Sequence, residues 1–169
     1  MTLRDRLRQR IGPITVIVPD DAGGATQPLV EAIKRASPGD VLGIRGPHRN
    51  INLGWGNTSH KDVATLPGAE PITDLAIVAQ DDLPEPPSIS GIELGDDKGG
   101  VESITFHGIT VTNEPFTATS SSRQGVLVRQ HSKIGALKLW SCDFKPVNPA
   151  HWAGWGWMCP RFSAQRVSG

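Results

Sequence analysis

The chain has 169 residues, enough for one domain with a sizeable core, and its 19 glycines and 14 prolines favour short strands and many turns over helical packing. Lysine plus arginine equals aspartate plus glutamate at 17 each, which excludes the global basic field of a nucleic-acid binder and leaves any polyanion contact local. Two cysteines, Cys142 and Cys159, are too few for a disulfide framework; no stretch reaches the length of a membrane span, and the N-terminal arginines lack the apolar core of a secretory signal behind them.

Residues 1–12 open with MTLRDRLRQR, where Arg4, Arg6, Arg8 and Arg10 face a single Asp5, and Leu3 and Leu7 stand four apart. Two readings apply: a frayed basic terminus, or an anchor that gains order only on a partner, since isolated helices this short are marginal in water. The next stretch, Ile14 to Gly46, organises the rest of the chain. Ile14, Val16 and Val18 form a short strand that stops at Pro19 and the turn residues Asp20, Asp21, Gly23 and Gly24. A helix is predicted near 26–37, with Thr26 as cap, Pro28 in its first turn, and Leu29, Val30, Ile33 and Ala36 on one face. Pro38-Gly39 ends it. From Asp40 the chain reads as strand, and no second helix of comparable clarity succeeds it.

Apolar-alternating segments then recur: VLGIRG, LAIVAQ, ITFHGITVTN and ALKLWSCDF. With Ile44, Ile77, Phe106 and Leu139 as equivalents, the interval is roughly thirty residues, in the range of stacked repeats. Strands of successive repeats are expected to pair in parallel at about 4.8 Å. NINL, SISGIEL and GVLVRQ supply further faces, separated by irregular, turn-rich segments that suit recognition loops.

One helix ending in AIKRASPGD directly before an apolar strand resembles the N-terminal cap and first turn of right-handed parallel β-helix proteins of the pectate-lyase-like superfamily. GVLVRQHSKIGALKLWSCDF is similar to that superfamily's coil texture. The resemblance spans roughly Ile14 to Phe144. It implies an all-β fold: a right-handed parallel β-helix over 13–144 with one capping helix, behind a short anchor at 1–12. At 145–169 the texture changes to a tail holding Trp152, Trp155 and Trp157, expected to be an interface, a sugar-stacking platform or the start of further coils.

Catalytic candidates are incomplete. Asp81-Asp82 and Asp96-Asp97 lie in Gly- and Pro-rich turns, where turn chemistry accounts for them. Asp143 is the one well-placed strand carboxylate and lacks a visible partner, and His107 reads as a solvated turn histidine. A zinc set of His131, Cys142, His151 and Cys159 matches no standard spacing, so no metal or cofactor is expected. Three function classes are compatible with these features. The first is a structural, receptor-binding spike or fibre protein, similar to bacteriophage tailspikes. It would be anchored to other particle proteins by Leu3, Arg4, Arg6, Leu7, Arg8 and Arg10, and would bind host surface polysaccharide on the particle surface as a homotrimer, without nucleic acid or membrane insertion. The second is a pectate-lyase-like polysaccharide lyase or glycoside hydrolase. The third is a bacterial surface adhesin. Function sits on sites, not folds, so the fold alone does not choose among them.

Overall fold

The computed structural model describes residues 1–53, 63–64, 71–94, 101–112, 126–128 and 134–145. Among the described residues two helices form, α1 (Leu3–Ile11) and α2 (Pro28–Arg35), with the short strand β1 (Val16–Ile17) between them. The next strands are β2 (Val41–Ile44), β3 (Ile51–Leu53), β4 (Val63–Ala64), β5 (Leu75–Ala79), β6 (Ser88–Ile89) and β7 (Ile92–Leu94). After them come β8 (Val101–His107), β9 (Thr110–Thr112), β10 (Val126–Val128), β11 (Ile134–Trp140) and β12 (Asp143–Lys145).

All pairing among the described strands is parallel. One sheet runs β1-β2-β5-β8-β11, a second β10-β7-β3-β4, and a third β12-β9-β6. Register aligns Leu42 with Ile77, Ile77 with Phe106, and Phe106 with Leu139. Ile44, the expected equivalent, instead pairs with Ala79. A second column joins Ile51 to Ile92, and a third joins Ile89 to Val111 and Val111 to Phe144. These columns meet in one core, in which Leu42, Ile77, Phe106, Ile51, Ile92 and Ile89 are fully buried.

The expected class, an all-β right-handed parallel β-helix with one capping helix, is overturned. Two helices stand beside the parallel sheets, giving mixed α/β character, and the described strands form three separate sheets with no closed solenoid. The reasons are local. Thr2 and Asp5 make a reciprocal cap: the Thr2 hydroxyl accepts from the Asp5 amide at 3.2 Å, and the Thr2 amide donates to Asp5 Oδ2 at 2.7 Å. That satisfies donors a free helix end leaves open, so the arginine-rich start is helical. At the corners, left-handed residues such as Gly108 (φ 71°) and Ser141 (φ 52°) turn the chain out of one ladder before the next begins, which divides the pairing into three sheets.

Helix α2 forms where the sequence places it and buries Leu29, Val30 and Ile33 in the core with Ala36 just beyond. Its N-cap position is Gln27, whose side chain makes no cap bond, rather than Thr26. The loop leading into it is held otherwise. Arg49 Nε donates to Asp21 Oδ2 at 2.8 Å and Arg49 Nη2 donates to the Gly24 and Thr26 carbonyls, each at 2.8 Å. Burial acts to raise the Asp21 carboxyl, but the Arg49 side chain, the Gly23 and Arg49 amides and the guanidinium charge outweigh it and hold it below the usual carboxylate range.

The register places Phe106 at the centre of its column, so Phe106→Ala should cost about 3–5 kcal/mol in urea unfolding. Ile17→Ser, on the edge strand at 70 % exposure, should change stability by less than about 0.5 kcal/mol. Equal midpoints for the two variants would contradict the register.

Candidate functional site

The alternation that turns Leu42 and Ile77 inward turns Val41, Ala76 and Val78 to the opposite face of the same sheet, where they form a second, small apolar cluster. Ile11 and Ile14 pack on it. Gly43 makes this approach possible: a Cβ there would lie 2.8 Å from Ile14 Cδ1 and 2.9 Å from Cγ2. Helix α1 therefore lies on its own chain, with Leu7, Arg8 and Ile11 half-buried and Leu3, Arg6 and Arg10 exposed. The leucine pair is thus split, Leu7 turning toward the body and Leu3 away from it at 48 % exposure.

Under α1 sits His107, the last residue of β8, only 3 % exposed. Its Nε2–H donates to the Arg4 carbonyl at 3.3 Å, which leaves Nδ1 as an acceptor with no partner among the described residues. Gly108 comes next with φ 71°, and a Cβ at that position would meet Arg4 Nη2 at 3.2 Å. Arg8 Nη1 donates to the Gly12 carbonyl, and Arg8 Nε stands 3.8 Å from Asp81 Oδ1, outside hydrogen-bond range. Because Asp81 is 73 % exposed, that ion pair is worth little and positions more than it stabilises.

Between α1 and the turn after β5 lies an open cleft of about 380 Å³. Arg4, Asp5 and Arg8 line one side, Gln80, Asp81, Asp82 and Glu85 the other, with Leu83, Pro84 and Pro86 adding apolar surface and His107 also lining it. Burial lowers the His107 pKa, and the Arg4 and Arg8 charges add to this against the opposing Arg4 hydrogen bond and Asp81. The imidazole is thus held neutral. The cleft combines charged donors, carboxylate acceptors and a neutral ring acceptor, a set suited to binding hydroxyl groups.

His107 is therefore not the solvated turn residue that its place before Gly108 suggests. Of the expected anchor residues, Arg4, Leu7 and Arg8 contact or face the chain's own body, and Leu3, Arg6 and Arg10 point away from it. Trp152, Trp155, Trp157, Asp96, Asp97, His131, His151 and Cys159 lie outside the described residues. Asp143 is exposed on β12. Burial pushes the neighbouring Cys142 thiol up to about 11, and its Sγ–H donates to the Trp140 carbonyl at 3.5 Å. Among the described residues no group of three metal-ligating side chains occurs, and no helix is long and apolar enough to cross a membrane. No protein-family model, curated protein or solved structure matches this chain.

A second buried histidine, His48, is 3 % exposed, and neither ring nitrogen has a partner among the described residues. Burial lowers its pKa against the opposing charges of Asp21 and Asp20. Both histidines thus titrate below their unfolded value of 6.5, so below that pH the unfolded chain binds more protons than the folded one. Stability should be full above pH 6.5 and fall on acidification, by up to about 1.4 kcal/mol per pH unit for each histidine. Urea midpoints at pH 7.5 and 5.5 measure this, and His48→Leu should flatten the decline. A midpoint independent of pH would refute it.

Proposed function

We propose that the chain is a structural, receptor-binding spike or fibre protein of a bacteriophage-like particle, and that it engages host surface polysaccharide in the cleft between α1 and the turn after β5. The observation that carries this reading is the cleft itself. Its guanidinium, amide, carboxylate and imidazole groups converge on an open cleft, and such mixed donors and acceptors match the many hydroxyls of a sugar chain. Short parallel strands sharing one core supply a rigid support, which limits the ordering cost of binding a flexible polymer.

Attachment to the particle is assigned to the outward side of α1. Leu3, Arg6 and Arg10 are exposed there, and the arginines give local positive charge in a chain of zero net charge. Removing the whole segment is a poor test, because α1 covers His107. Exchanging the outward residues is the better one.

Two measurements separate the parts. Gln80→Ala with Asp81→Ala should weaken binding to purified host surface polysaccharide by about tenfold or more, while stability falls by no more than about 0.5–1.5 kcal/mol, through loss of the Gln80 Nε2 bond to the Gly43 carbonyl. Leu3→Ser with Arg6→Ser and Arg10→Ser should leave polysaccharide binding intact and abolish particle incorporation. Unaltered binding in the first variant, or normal incorporation of the second, would reject the corresponding half of the proposal.

A further inference from the structure

We infer that the cleft between α1 and the turn after β5 selects uncharged, hydroxyl-rich glycans and rejects acidic ones; this rests on the reading of that cleft as the glycan site. The groups that line it are already partly committed. Asp5 is held by the Thr2 amide, and Arg8 is held by the Gly12 carbonyl beside Asp81. Without a hydrogen-bond partner among the described residues there remain one buried donor, Arg8 Nε, and a larger set of acceptors: the exposed carboxylates of Asp82 and Glu85, and Nδ1 of the buried His107.

A site with free acceptors beside a free guanidinium donor is matched by groups that donate and accept at once, as sugar hydroxyls do. Uronate, sialate, sulfate and phosphate groups bring acceptors and like charge instead. The balance points the same way. Four carboxylates, Asp5, Asp81, Asp82 and Glu85, face two guanidiniums, Arg4 and Arg8, so two negative charges stand uncompensated around a neutral imidazole. An acidic chain laid along the turn would meet Asp82 and Glu85 first.

The test uses the full chain on an array of neutral, N-acetylamino, and uronate- or sialate-bearing oligosaccharides, comparing the wild type with Asp82→Asn/Glu85→Gln. Asparagine tolerates the left-handed backbone at position 82 (φ 62°), and both side chains are exposed, so the variant should keep its urea midpoint. The wild type should retain neutral members and disfavour acidic ones by about tenfold, and the variant should lose most of that discrimination. Wild-type preference for acidic glycans would overturn the inference and leave the glycan-binding reading standing. Discrimination unchanged in the variant would also overturn it, because the selectivity would then arise elsewhere. No glycan retained at all would overturn both.

Discussion

The structure depends on in-register parallel stacking of short strands. Leu42, Ile77, Phe106 and Leu139 align from strand to strand, and a slip of one residue would turn each of them to the opposite face. None of the described strands is long, so none is stable by itself, and the shared apolar column pins their alignment. Helix α2 covers the same core with Leu29, Val30 and Ile33, and the Asp21–Arg49 pair ties down the loop that delivers it.

The pleat that fills the core also creates the seat for α1. Val41, Ala76 and Val78 are forced to the outer face by the same alternation, and Ile11 and Ile14 cover them. The two helices differ in how firmly they are held. α2 buries three side chains, whereas α1 buries none fully and is seated by the half-buried Leu7 and Ile11 and the Arg4–His107 bond, so it belongs to the low-stability end of the molecule. The proposed glycan cleft lies at that less stable edge, where α1 and the turn after β5 face each other, while the stacked strands supply rigidity.

Much of the support was legible in the sequence. The face of α2, Pro28 at its start and Pro38-Gly39 at its end mark that helix, and the interval of roughly thirty residues marks the parallel strands. The register was readable only to within two residues: Leu42 and Ile44 are both apolar and both point inward, so alternation cannot choose between them. The fold class failed at α1: Leu3, Leu7 and Ile11 do recur every four residues, but a helix this short is marginal alone, and its order comes from a local cap and from contacts distant in sequence. His107 and Arg4 are 103 positions apart. Asp21 and Arg49 are likewise 28 positions apart, and nothing in PDDAGG or PHRN links them. The cleft was missed for the same reason: its two sides come from remote segments, and its carboxylates carry ordinary turn chemistry when read alone. The one local sign was Gly108 directly after His107, a glycine where the chain of α1 passes close.

The central claim is that α1 folds back over the end of β8 and fixes the His107 ring. Nitrogen-15 NMR of the histidine ring in the full chain measures this most directly. A single tautomer protonated at Nε2 is expected, with cross-relaxation from that proton to protons of Arg4 and its neighbours in α1, and titration below 6.5. A ring that averages between tautomers, titrates at 6.5 and shows no contact with residues 3–11 would contradict it.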